Sequence, residues 1–307
     1  MIQKEKFMLV NIDLEQYREY HEIMYQIKEK AVFEDEIKTY FKNRHLGIEG
    51  DKLPWGKLDQ LVGLRHSELT IWAGENGSGK SLILGQMKLS LLKAHKTVLT
   101  ASLEMTPTKT LSRMVRQAIG SLNVSNGDIE QFMQWKKDKA YLFDHQGRLD
   151  AWQAIALCRY AKQHLKCDHI ILDSMMKLVR GEDDFNGQKD LVDALCDVAK
   201  ETKMHIHLVH HIRKGGESNR IAEKKDIKGS GVITDLADNV VLIARNRLKE
   251  KETEQNRIAD NSQPDTFLIT AKQRNGDWEG TLGLWFDKKS QQFTESFQQP
   301  IIKYLEE

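Results

Sequence analysis

Gly74-Glu75-Asn76-Gly77-Ser78-Gly79-Lys80-Ser81 is the stretch on which the fold turns. It fills the pattern G-x-x-x-x-G-K-S, with an apolar run at 69–73 before it and an amphipathic run at 82–92 after it. A strand, a glycine-rich loop and a helix in that order make a phosphate cradle. The loop backbone curls its N–H groups toward an anion at the helix N-terminus. Gly74, Glu75, Asn76, Gly77, Ser78 and Gly79 supply that backbone. Lys80 is long enough to reach the β and γ phosphates, and the Ser81 hydroxyl suits a magnesium ligand. A Gly/Ser-rich turn ahead of an ordinary helix is the bland alternative, and the complete match outweighs it.

Outward from the loop, strands and helices alternate. Strands are expected at 70–73, 97–103, 169–172, 206–209, 240–244, 267–271 and 281–286, and helices at 81–92, 107–119 and 191–201. Thr106 can cap the second helix, Pro107 suits its first turn and Gly120 its exit. The pattern predicts an α/β fold: a twisted, mostly parallel sheet covered by helices, with an antiparallel C-terminal edge where strands lie too close for helical crossovers. Residues 1–50 differ. Positions 14–41 form a charged helical segment with Ile23, Ile27, Phe33, Ile37 and Phe41 at mostly four-residue steps, and 45–56 is a plausible hinge. The expected division is a helical arm over 1–50 and a catalytic domain over 51–307.

Composition excludes little. The 307 residues carry 46 Lys and Arg against 45 Asp and Glu, a net charge of +1 that neither demands nor forbids nucleic acid. Cys158, Cys167 and Cys196 lack metal spacing and do not suggest disulfides, which fits a reducing, cytoplasmic setting. No apolar run approaches the roughly 20 residues that span a bilayer, and nothing near Met1 resembles a signal peptide.

Several further residues carry chemistry. Asp173 ends the apolar run His169-Ile170-Ile171-Leu172 and can support a metal opposite Ser81. Glu104 ends another strand and would face the same crevice, where a carboxylate can polarise an attacking water. Position alone leaves it open as a mere helix-terminus charge. His205, His207, His210 and His211 have no cysteine or paired acidic motif beside them, so zinc is not expected. His211, at the strand's carboxyl end, is placed to contact a γ phosphate. The following loop holds Arg213, Lys214, Arg220, Lys224, Lys225 and Lys228, then Gly229, Ser230 and Gly231, a shape suited to nucleic-acid phosphates. Lys272 and Arg274 end a late strand, and an arginine there could stabilise charge in a neighbouring subunit's triphosphate or in its own.

Taken together, these motifs resemble the RecA-like motor domain of ring-shaped replicative DNA helicases, the DnaB-type enzymes and the helicase halves of phage and mitochondrial primase-helicases. The resemblance runs over 58–293. Its most specific pieces are Ser102-Leu103-Glu104-Met105, Lys228-Gly229-Ser230-Gly231 and Ala271-Lys272-Gln273-Arg274-Asn275-Gly276. His211, where DnaB-type members usually carry glutamine, leans toward the primase-helicase branch. The resemblance implies that Lys80 and Ser81 hold phosphate and magnesium, that Glu104 activates water, that Asp173 supports the metal and that His211 senses the γ phosphate. It implies that Lys272 and Arg274 act on the adjacent subunit's ATP, that Arg245 and Phe286 sandwich the base, and that the loop through Ser230 meets single-stranded DNA in the pore. A hexameric ring, ATP (or dTTP, as in some relatives), and primase, polymerase and single-strand-binding protein as partners follow from the same likeness. Fifty residues ahead of the motor are too few for the primase or helical domain usual in the family, which points to a stand-alone phage or plasmid helicase or to another use of the motor. A recombinase-like or strand-remodelling ATPase is the first rival, and a small-molecule or nucleoside kinase the second.

Overall fold

The computed structural model describes Glu15, Ile37, Lys38, Phe41 and residues 49–181, 183–212, 231–256 and 260–305. In chain order the elements are β1 (Asp51–Lys52), β2 (Gly63–Leu64), β3 (Leu69–Gly74), α1 (Lys80–Lys93), β4 (Val98–Ser102), α2 (Pro107–Ile119), α3 (Asn126–Trp135), β5 (Ala140–Leu142) and α4 (Ala151–Gln163). They continue with β6 (His169–Asp173), α5 (Phe185–Thr202), β7 (His205–His211), α6 (Gly231–Leu236), β8 (Asn239–Arg245), α7 (Arg247–Asn256), β9 (Thr266–Gln273), β10 (Gly280–Phe286) and β11 (Phe293–Thr294). Among the described residues the main sheet has nine strands in the order β11-β10-β9-β8-β3-β7-β6-β4-β5. From β8 to β5 every pairing is parallel, and β8–β9, β9–β10 and β10–β11 are antiparallel. The expected mixed sheet is the one observed.

The parallel strands are apolar along their length because helices cover both faces. On one face Leu69, Ile71, Leu99, Ala101, Ile170 and Leu208 pack with α4 and α5. On the other, Trp72, Ile171 and Val209 meet Ile83, Met87 and Leu91 of α1 and Met114 of α2. Residues at alternate positions go to opposite layers, as the pleat requires.

Local signals hold where they are specific. Thr106 Oγ1 accepts the Lys109 N–H at 3.3 Å, Pro107 starts α2, and Gly120 ends it at φ 75°. Helices α3, α4, α6 and α7 are not among those expected from periodicity. Capping boxes at Ser125/Asp128 and Asp150/Gln153 mark the first two. Their apolar faces are short or alanine-rich, so the periodic signal is weak. The stretch 45–56, expected as a hinge, is packed from Asp51 onward: β1 pairs with β2, and Leu53 and Trp55 are buried. The helix expected over 14–41 lies almost wholly outside the described residues, although Ile37 and Phe41 are exposed.

Candidate nucleotide site

The phosphate loop leaves β3 in the middle of the parallel region, where strand order switches between β7 and β8. Ligands of such sheets bind beyond the carboxyl ends of the strands at this kind of switch point. Gly79, at φ 95°, stands in the left-handed region immediately before α1, which only glycine adopts without strain. Gly74 is required for space: a Cβ there would lie 2.5 Å from both Ile243 O and Ser78 Oγ. The Lys80 ammonium is buried and donates to Gly74 O at 2.7 Å and Glu75 O at 2.8 Å. Burial lowers its pKa, opposed by Asp173, Glu104 and Glu75.

Asp173 and Glu104 sit at the ends of the adjacent strands β6 and β4, where Ser102 pairs with Asp173. Asp173 is buried and hydrogen-bonds Ser81, and its pKa is pushed up to about 6, first by burial and then by the Glu104 carboxylate, with Lys80 opposing. A buried carboxylate beside a hydroxyl, next to a second carboxylate, is an environment short of positive charge. That donor set fits a hard divalent cation of the magnesium type, with Ser81 and Asp173 as the residues to hold it. Glu104 is the more exposed acid. His211, whose Nε2 stands 3.8 Å from Glu104 Oε1, holds its pKa down, and so does the Ser174 hydroxyl, which donates to Oε1 at 2.8 Å. Against an opposing burial effect the carboxyl falls to about 2. At 3.8 Å the imidazole makes a charge contact rather than a hydrogen bond, so Ser174 is the group that fixes the carboxylate's direction. Sequence reasoning missed Ser174. Its position directly after the strand-ending aspartate was the available clue.

Arg245 lies at the loop's rim, with Nη1 3.5 Å from Gly77 O and an ion pair to Glu250. Arg247, also missed, pairs with Glu75 at 3.3 Å and Glu250 at 3.0 Å, tying α7 to the phosphate loop. Phe286 packs on Phe293 at 5.0 Å between ring centroids, and Phe293 in turn lies under Gly79. Phe286 and Arg245 therefore both flank the loop, without a described contact between them.

Lys272 and Arg274 stand elsewhere. Lys272 Nζ donates to Thr234 O, Asp235 O and Ala237 O at 3.0, 2.7 and 2.7 Å, and Arg274 Nη2 to Asp235 O and Leu236 O at 2.9 Å each. Both cations thus serve the carbonyl end of α6, where the helix dipole is negative. Arg274 also pairs with Asp238 at 3.4 Å, and Asp238 accepts the Leu69 N–H at 2.9 Å. Leu69 begins β3 and Gly74 ends it, so the pair occupies the opposite end of the sheet from the phosphate loop, roughly 17 Å of strand away. Arg213, Lys214, Arg220, Lys224, Lys225, Lys228, Gly229 and Ser230 lie outside the described residues.

Residues 53–295 match the family model for the DnaB-like helicase C-terminal domain. The chain belongs to this DnaB-like family. It is 25% identical over 244 residues to the DNA helicase/primase of Enterobacteria phage T3, covering 72% of this chain and 41% of that one. It is 26% identical over 282 residues to the replicative DNA helicase DnaC of Bacillus subtilis (strain 168), covering 84% and 60%. The chain spans 41–60% of the length of these and a third curated relative. Among solved structures, one ATPase domain superposes with a TM-score of 0.73 at 17% identity, over 87% of this chain and 99% of that one. A DnaB-like replicative helicase solved in a study of its interactions with primase gives 0.70 at 16% identity, over 85% and 66%. At those identities the likeness carries the fold, and the DnaB-like, RecA-type core agrees with the expected α/β architecture. No helix among the described residues is long and apolar enough to cross a membrane.

Proposed function

We propose that this DnaB-like chain hydrolyses ATP and uses the energy to move along single-stranded DNA as a replicative-type helicase. The observation that carries the reading is the placement of Lys80, Ser81, Asp173, Glu104 and His211 at the carboxyl ends of the neighbouring strands β3, β6, β4 and β7, with Glu104 aimed by Ser174. Magnesium, when bound with the triphosphate, supplies charge neutralisation at the phosphates, and Ser81 and Asp173 would hold it. Lys80 exchanges its loop carbonyls for phosphate oxygens. Glu104, held near 2, is a poor proton acceptor. It acts by accepting a hydrogen bond from the attacking water and orienting it, and the water's proton ends on the phosphate product. His211, 3.8 Å from the same carboxylate, lies just ahead in sequence of the residues proposed to contact DNA.

Arg274 and Lys272 act between subunits in this reading. Their separation from their own phosphate loop by the length of β3 argues against a role on their own triphosphate and supports a neighbour's as the target. That need for a second subunit favours a ring, with Arg274 as the finger. Arg213, Lys214, Arg220, Lys224, Lys225, Lys228, Gly229 and Ser230 form the DNA contact, and Arg245 with Phe286 the base clamp. Single-stranded DNA, further copies of the chain and a primase are the proposed partners.

The test is ATP hydrolysis with and without single-stranded DNA, alongside mass by light scattering and unwinding of a forked duplex. Strong DNA stimulation, a hexameric mass and strand separation are expected. Turnover indifferent to DNA in a monomer would overturn the reading, and DNA-stimulated turnover in open filaments without unwinding would replace it with strand remodelling.

A further inference from the structure

Behind the phosphate loop, α1, α2 and the ends of β4 and β6 border a small, partly open cavity that reaches Ser81 and Asp173 at one end. Its lining is unusual for an interlayer gap. Lys88 projects into it while almost wholly buried, and its described partner is the Thr100 hydroxyl at 3.1 Å. Burial drives the Lys88 pKa down to about 7, and the charge it feels next is another cation, Lys136. At the mouth, Arg113 directs Nη1 to the thioether sulfur of Met105 at 3.0 Å, a weak partner for a guanidinium. Two buried polar atoms on the wall, Thr110 Oγ1 and Gln117 Oε1, have no hydrogen-bond partner among the described residues. The Gln117 amide nitrogen donates to Leu82 O at 2.9 Å and Gln291 O at 2.8 Å, which fixes the orientation and leaves Oε1 as an unmet acceptor. Gly85 makes room for it, since a Cβ there would lie 2.6 Å from Oε1.

We infer that this cavity is a second oxyanion site and that it takes inorganic phosphate. Lys88, Arg113, Thr100, Ser102 and Thr110 line one space whose carboxylate, Asp173, stands at the end toward the nucleotide site, and away from it they form a donor set that phosphate oxygens satisfy. Buried polar groups left without partners are costly, so the arrangement is stabilised by an occupant that meets them. Gln117 Oε1 adds selectivity. Hydrogenphosphate carries an O–H to donate to it, whereas sulfate has none and would set oxygen against oxygen. The phosphate can be the one released at the adjacent nucleotide site or one from solution.

The test is equilibrium dialysis of radiolabelled phosphate against the full chain saturated with Mg²⁺ and a non-hydrolysable ATP analogue, which fills the γ-phosphate position. Expected are one saturable site per chain, at least tenfold weaker competition by sulfate, and at least tenfold loss of affinity in both Lys88→Met and Arg113→Gln. Arg113 is exposed, so its variant keeps the test sound even if Lys88→Met disturbs packing. No saturable binding, meaning a water-filled cavity, overturns the inference, as do undiminished binding in both variants and equal competition by sulfate. A phosphate-sensor burst assay separates the sources. Slower release in Arg113→Gln marks the site as a stop for the product, and unchanged release with lost binding marks it as a site for free phosphate. The dialysis needs neither turnover nor DNA, so a failure of the helicase reading leaves its outcome unaffected.

Discussion

The two ends of the parallel sheet hold similar residues in opposite states. At the carboxyl end, Lys80, Asp173, Glu104 and His211 crowd together with their hydrogen-bonding incomplete, and His211 Nδ1 and Ser78 Oγ have no described partner. At the amino end, His205, His207 and His169 lie together with every ring nitrogen partnered. The Trp72 indole N–H donates to His207 Nδ1 at 3.1 Å, which puts the His207 proton on Nε2, facing His169 Nδ1 at 3.2 Å. His169 then donates from Nε2 to Asp51 at 3.1 Å. His205 donates from Nδ1 to Arg65 O at 2.6 Å and accepts from the Thr70 hydroxyl at 2.8 Å. Burial lowers the pKa of all three imidazoles, His205 to about 3, His207 well below the usual range and His169 despite Asp51. No group of three or more His, Cys, Asp or Glu suited to a metal occurs among the described residues. Residue type does not separate a reactive cluster from a structural one. Unmet bonding capacity and access do.

Substitutions at the two ends should therefore separate activity from stability. Lys80→Ala is expected to reduce ATP turnover to background, at least about 10²–10³-fold, with an unchanged melting temperature. A melting temperature that falls with activity would mean the lysine is chiefly a loop staple through Gly74 and Glu75. Arg274→Ala should lower turnover by about 10³-fold while nucleotide affinity stays near wild type, because its target is charge developing in a neighbour's site. Mixing it with Lys80→Ala sharpens this: mixed rings that juxtapose an intact finger and an intact loop should regain turnover, and none regained would sink the assignment between subunits. Ser174→Ala should lower kcat about tenfold with KM little changed, and Ser174→Thr should restore part of it by returning the hydroxyl to Glu104. Equal losses in both variants would point to packing instead.

The amino end should respond to pH. Unfolded imidazoles take up protons near pH 6.5, and burial makes the three folded ones weaker bases, so their contribution is present above that value and is lost as pH falls below it. The melting temperature should fall between pH 7 and 5, and a flat profile there would contradict the lowered basicity of these imidazoles. Asp51 follows at lower pH. Burial opposes its charge, but hydrogen bonds from His169 and Lys96 hold it at about 2, so its stabilisation is lost from about pH 4 downward. Asp51→Asn should remove that acid-range loss at a cost on the order of 1–2 kcal/mol near neutral pH, read by denaturant unfolding.

Much of this is legible in the sequence. The phosphate loop, the strand-end acids and the caps of α2 are local patterns whose geometry follows from a few adjacent residues. The packed segment beyond Asp51 is not, because its proline and glycines imitate a hinge while Leu53 and Trp55 answer to a distant core. Ser174 follows the strand-ending Asp173, which places it near the site, but its partner Glu104 lies 70 residues earlier and only the pairing of β4 with β6 brings the two together.

Local patterns in the sequence were enough for the strand, loop and helix of the phosphate cradle, the mixed α/β sheet and which acids end which strands, since alternating apolar runs and helix signals restrict the fold class. Which polar residues are satisfied is settled by packing between distant segments. His169 meets Asp51 across 118 residues and Trp72 meets His207 across 135. The tertiary structure alone set Lys272 and Arg274 at the far end of β3 from their own phosphate loop, and gathered Lys88, Arg113 and Gln117 around one cavity. Such encounters depend on strand register and on how helices lie on the sheet, and no local spacing encodes either.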